Sequence, residues 1–267
     1  MSTSSARPSS PINSEMTHAV GSPFPHSDEE VLSLDIYDDF SYRIRRQRRV
    51  VYVCVLDREL LPPDWDEQWD TLTVRRGPSG IECTPDEFVP HGLDLERPDL
   101  PVAPFYNLLD LTWVNRIGET LWEVEYGQKS WIMKVARFDY ELRFIQPEVS
   151  VYAALAASRF PMAPKFVGFV YEESKARTIG FLLEKLDGVT PGIQNLAECR
   201  ETVQLLHRHG IVHGALLKYN FLITDNGAML FDYGVSTVVG EVDPVVGEQE
   251  LTSLETQLKS TSTLGRK

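Results

Sequence analysis

Three stretches of this 267-residue chain hold the residue types best suited to chemistry. "SWIMKVARF" has strand character, and in a strand of period two Ile132, Lys134 and Ala136 share one face, so an ammonium emerges beside apolar side chains. "LHRHGIVHGALLKYNFLI" holds His207, His209, His213 and Asn220, and "LFDYGVS" holds Asp232. Asn220 and Asp232 are the hard-oxygen types that hold Mg²⁺. The three histidines invite a zinc reading, but Gly210 interrupts their helix and neither a carboxylate nor a cysteine stands at ligand spacing.

Other chemistries are argued against by composition. Cys54, Cys83 and Cys199 are odd in number and lack C-x-x-C spacing, which points away from a disulfide framework or zinc knuckle and towards an intracellular chain, cytoplasmic or nuclear. Lys plus Arg number 26 against 39 Asp plus Glu, a formal net charge of −13, so neither nucleic acid nor an anionic membrane is an expected partner. No apolar run reaches spanning length, and residues 1–33 contain no signal-peptide core. The run Arg43, Arg45, Arg46, Arg48 and Arg49 fits a localisation signal or anion patch, and fits better one solvated strand edge. Trp65 and Trp69, one helical turn apart, suggest core packing before a partner face.

The elements that must position these groups follow from periodicity and turn chemistry. Residues 1–30 are rich in Ser, Thr and Pro and read as a disordered tail. Residues 31–104 form a β-rich extension and linker: "VLSLDIYDDFSYRI" partly alternates, "VVYVCVL" is a buried strand, and "DTLTVRR" pairs with "GIECTPDEF" across Gly77-Pro78-Ser79-Gly80. Three prolines make residues 92–104 an extended connector. "LTWVNRIG", "TLWEVEY" and "SWIMKVARF" then predict an antiparallel meander, and a helix follows with Pro147 at its first position. "KFVGFVYE" and "RTIGFLLEKL" complete five strands. A second helix runs from an Asn195 N-cap to Gly210, "NFLIT" and "AMLFD" make a hairpin about Asp225-Asn226-Gly227, and "EQELTSLETQLK" predicts a short last helix.

Residues 111 to about 236 resemble the protein-kinase-like superfamily. "HGALLKYN" is similar to the catalytic loop His-Arg/Gly-Asp-Leu-x-x-x-Asn, with His213, Gly214, Leu216 and Asn220 on motif positions and Ala215 in place of the Asp. "FDYG" resembles Asp-Phe-Gly at Asp232, Tyr233 and Gly234, and "WIMKVA" resembles the third-strand Val-Ala-Ile-Lys at Lys134, for which Glu148 is the first candidate partner and Glu141 the second. The wording is closest to the aminoglycoside-phosphotransferase-like and fungal kinase-like branch.

That resemblance implies an α+β, protein-kinase-like fold: an antiparallel five-stranded N-lobe over residues 105–186 and an abbreviated helical C-lobe over residues 187–267, preceded by the β-rich extension. It implies ATP and Mg²⁺ as cofactors, with Gly118, Lys134, Glu148, Asn220 and Asp232 binding the nucleotide, Asn220 and Asp232 holding the metal, and His213 supporting the loop. An alanine methyl cannot accept a proton, so Ala215 implies impaired phosphoryl transfer and no confident catalytic residue. A phosphate-covering loop reduced to Gly118, and only 33 residues beyond Gly234, point the same way. The expected function is a pseudokinase-like protein that binds nucleotide and acts through a protein partner. Its alternatives are an active atypical phosphotransferase on a protein Ser/Thr or small-molecule hydroxyl, using Lys218, Asp225 or Asp232, and a truncated nonfunctional relative.

Overall fold

In the computed structural model, the described residues are 29–36, 40–56, 71–86, 89 and 91–260. The expected tail up to residue 28, and Trp65 with Trp69, lie outside them. The chain divides into two compact units, Met1–Phe88 and Val89–Lys267.

The first unit is a sheet of five strands, β1 (Glu29–Asp35), β2 (Phe40–Arg46), β3 (Arg49–Val55), β4 (Thr71–Gly77) and β5 (Gly80–Asp86), in that order. Glu29 and Glu30 thus belong to a strand and not to the tail. All neighbours are antiparallel except β3 and β4, which run parallel. β-branched alternation builds one apolar face from Ile44, Val51, Val53, Val55, Leu72 and Val74. The arginine run does not form a solvated strand edge: β2 lies between β1 and β3, and Arg43, on the face opposite Ile44, is fully buried. Arg48 and Arg49 alone are exposed, because they sit at the β2–β3 turn.

The second unit is α+β. Its main sheet has six strands and not five, in the order β6-β10-β11-β9-β8-β7. β7 (Thr112–Arg116), β8 (Leu121–Tyr126) and β9 (Lys129–Val135) form the expected meander, with Gly127 at φ +64° in the tight β8–β9 turn. β10 (Phe166–Tyr171) and β11 (Thr178–Glu184) form the next hairpin. The additional strand β6 (Phe105–Asn107) follows Pro104 directly and pairs in parallel with β10, so the sheet is not wholly antiparallel. Three residues carry too little pattern to be read as a strand. The connector before it is irregular, with a turn at residues 98–99 and neither helix nor strand, and Leu93, Leu95 and Leu100 join the core of this unit.

Helix α1 spans Leu142–Ala157, so Pro147 lies inside it and not at its start. Ile145, four residues before Val149 and likewise buried, extends the apolar stripe one turn further towards the N-terminus, and that burial outweighs the hydrogen bond that proline cannot donate. Helix α2 (Leu196–Arg208) turns Cys199, Val203 and Leu206 inwards. Asn195 precedes it but does not cap it; its Oδ1 accepts from Gly192 N at 3.2 Å. Gly210, at φ +71°, ends the helix where a Cβ would stand 2.3 Å from Gly240 O. β12 (Ile211–Val212) pairs with β15 (Thr237–Val238), and β13 (Phe221–Thr224) with β14 (Gly227–Leu230) about Asp225-Asn226. Helix α3 spans Pro244–Lys259, longer than expected, because Asp243 caps it by accepting from Val245 N and Val246 N, and Pro244 begins it. Leu251, Leu254 and Leu258 close the core alongside α2. No helix among the described residues is long and apolar enough to cross a membrane.

Candidate functional site

Three elements distant in sequence bring their charges to one point. β9 presents Lys134, α1 presents Glu148, and the segment after β14 presents Asp232. Lys134 Nζ donates to Glu148 Oε2 and, at 2.9 Å, to Asp232 Oδ1. Glu148 is buried and uses its second oxygen to accept from Tyr233 N at 3.2 Å. Burial alone would lower the Lys134 pKa; the facing carboxylates of Glu148 and Asp232 outweigh it and hold the ammonium well above its ordinary value. Glu141 is not available to Lys134, because its carboxylate takes Arg137 Nε at 3.0 Å and Arg137 N at 2.6 Å.

The triad opens on a cavity of about 290 Å³. Its apolar walls come from Ile117, Leu121, Ile132, Leu183, Leu222 and Phe231. Gly118 does not line it, although its neighbour Ile117 and Leu121 do. Gly118 N donates to Leu121 O at 2.9 Å, and a Cβ there would meet only Leu121 Cβ, at 3.7 Å, so glycine is not required by the local geometry.

Aromatic neighbours fix Tyr233, the residue after Asp232. Tyr233 is buried, packs edge-on against Tyr152 of α1 with centroids 5.4 Å apart, and touches His213 at 5.2 Å. Its hydroxyl donates to Leu230 O at 2.9 Å. Asp232 itself adopts φ +68°, the left-handed conformation that turns its carboxylate back towards Lys134.

His213 is fully buried. Its Nδ1 accepts from Ala215 N at 3.3 Å, so Nε2 carries the proton and donates to Phe231 O at 3.1 Å. Burial holds its pKa below the ordinary value, and the imidazole is neutral. Ala215 is half-buried, and its carbonyl accepts from Asn220 Nδ2 at 2.9 Å. Asn220 Oδ1 is buried with no hydrogen-bond partner. Asn220 itself does not line the cavity, although its neighbours Tyr219 and Phe221 do; its buried amide oxygen and the Asp232 carboxylate are the oxygen donor types that Mg²⁺ takes, with water and phosphate completing the set. Among the described residues no group of three or more His, Cys, Asp or Glu could hold a metal alone.

One site residue escaped the sequence reading. Glu250 of α3 accepts from Gly214 N at 2.7 Å, His213 N at 3.2 Å and His207 Nε2 at 2.8 Å, clamping the loop that carries Ala215. Burial opposes its ionisation, but these donors hold its carboxyl below the ordinary value. Only chain folding over more than thirty residues reveals it, and no local signal marks it. The three histidines do not converge: His207 meets Glu250, His209 packs on Phe160 and His213 meets Phe231. Lys218 donates to Ser260 O, and Asp225 sits at the exposed hairpin tip; neither lines the cavity.

No family model matches the sequence, and no curated protein matches it.

Proposed function

We propose that the second unit is a protein-kinase-like nucleotide-binding body whose phosphoryl transfer is impaired, so that it acts through its bound state and a protein partner. The observation that carries this reading is the joining of Lys134, Glu148 and Asp232 at the edge of a partly apolar cavity, each from a different element. A lysine held by an acid on a neighbouring helix is what positioning of nucleotide phosphates needs, because phosphoryl transfer is mostly orientation and charge neutralisation. Ile132 and Leu183 would cover the base of ATP, and Lys134 would meet its phosphates. Asp232 and Asn220 would hold Mg²⁺, which when bound neutralises charge on the phosphate oxygens. Ala215 offers no proton acceptor, Lys218 and Asp225 do not line the cavity, and Asp232, the third group the active reading would use, is taken by Lys134, which supports the impaired reading over the active one.

The test is a thermal-shift titration with ATP and Mg²⁺, separately and together, on the native chain, Lys134→Ala and Asp232→Asn. A ligand that binds only the folded state stabilises it, by about 2.7 kcal/mol at a hundredfold excess over Kd. A saturable rise that needs both ligands and is lost in both variants is expected. No rise in the native chain overturns the nucleotide reading.

A further inference from the structure

The connector at the start of the second unit touches both parts that build the triad. Two consecutive amides are spent differently: Leu93 N donates to Thr178 O at 2.7 Å, on the first residue of β11, and Asp94 N donates to Gln146 Oε1 at 2.7 Å, on α1. The side chain of Gln146 answers more loosely, its Nε2 donating to Asp94 O at 3.5 Å. β11 pairs with β9, where Phe181 stands opposite Lys134. One peptide step therefore ties the sheet that carries Lys134 to the helix that carries Glu148.

The tie is anchored at each end. Gly92 passes so close to the β10–β11 turn that a Cβ would stand 2.8 Å from Ala176 O, and Leu93 is buried in the core that also holds Ile145 and Val149. Beyond the tie, Asp94 Oδ1 accepts from Glu96 N at 3.1 Å, an Asx turn that redirects the chain. The helix is weakest where it is held: Pro147 has no N–H to give Arg143 O, so the turn bearing Gln146 is joined to the rest of α1 by one bond fewer. Residues two apart stand about 200° apart around a helix, so Gln146 is held from outside while Glu148 reaches inwards to Lys134. We propose that the Leu93–Asp94 step staples α1 to the sheet and that Gln146 is a positioning residue, fixing how far Glu148 reaches towards Lys134 and Tyr233 N. Whatever moves the connector then moves Glu148. The staple acts on the triad whatever ligand the cavity takes, so it does not rest on the nucleotide reading.

The Tyr233 amide reports Glu148 directly, because it donates to Glu148 Oε1 and lies on neither the connector nor α1. Its hydrogen exchange can be read by NMR in the full chain, with the amide of Leu206, inside α2, as reference. Gln146→Met keeps the length and removes both bonds to Asp94. Tyr233 should then exchange about fivefold faster, as for the loss of one ordinary hydrogen bond, with Leu206 unchanged. Gln146→Glu can still accept from Asp94 N and should hold Tyr233 near the native rate. A native rate at Tyr233 in Gln146→Met overturns the staple. So does a rise that Leu206 shares equally, which is global loosening, and so does a rise of the same size in Gln146→Glu, which takes the link away from Asp94 N. No ligand enters this measurement, so failure of ATP to bind would overturn the nucleotide reading and leave the staple intact.

Discussion

Glu148 and Tyr233 are joined by a hydrogen bond from backbone to carboxylate, Tyr233 N to Glu148 Oε1 at 3.2 Å, while the other oxygen of the same carboxylate takes Lys134. One buried acid therefore sets both the lysine and the start of the segment after Asp232. Removing it strands two donors. Glu148→Ala should cost about 3–5 kcal/mol in denaturant unfolding, because it leaves Lys134 short of a partner in a buried place. Glu148→Gln, which can still accept from Tyr233 N, should cost less than half of that. Equal losses in the two variants would show that the shared carboxylate is not the link.

Acid should weaken the fold through two groups, each beginning to act at its own ordinary pKa. His213 has a folded pKa below its ordinary 6.5, so its share of stability is complete above 6.5 and drains as pH falls through the lower folded value. Glu250 is likewise depressed, from 4.5, so its share is complete above 4.5 and is lost at still lower pH. Measured against pH, unfolding free energy should fall by up to about 1.4 kcal/mol per unit for each group within its window. His213→Gln should flatten the slope that begins below pH 6.5, and Glu250→Gln the one that begins below pH 4.5.

Gly180 on β11 lies against β9 where Lys134 is carried. A Cβ there would stand 2.2 Å from Lys134 O and 2.7 Å from Val135 Cα, both backbone atoms that cannot give way. Gly180→Ala should therefore destabilise by about 1–3 kcal/mol and displace β9. Chemical-shift changes centred on residues 132–135 would report that displacement; an unperturbed spectrum would refute it.

Ala215→Asp places a carboxylate on the loop clamped by Glu250. With the rest of the cavity in order, transfer of labelled phosphate from ATP to a protein acceptor should rise by about 10²-fold or more. A rate that stays at the native level would locate the deficit elsewhere, with the segment around Gly118 as the first place to look.

Short-range signals made much of this unit legible. The β8–β9 and β13–β14 turns, the apolar stripe of α2 and its stop at Gly210 are each encoded within a few residues, and the structure shows each of them. Lys134, Glu148 and Asp232 could be singled out by type and order, and they meet. What escaped depends on partners far along the chain. Arg43 reads as solvent-facing until β2 is seen inside a sheet, Pro147 reads as a helix start until Ile145 is seen buried, and Glu250 reads as one more surface acid until His213 and Gly214 arrive beside it.

The parallel pairing of β6 with β10 also bears on the order of assembly. Phe105 pairs with Phe169 across a loop that holds the whole meander and α1. Closing so long a loop costs entropy that the three rungs of β6 return only at the end, whereas the β7–β9 meander closes through two short turns. The meander should therefore collapse first and β6 zip on last, as the seam of the sheet. A seam formed late is also the first to part, so amide exchange should reach Phe105, Tyr106 and Asn107 well before Met133 and Val135.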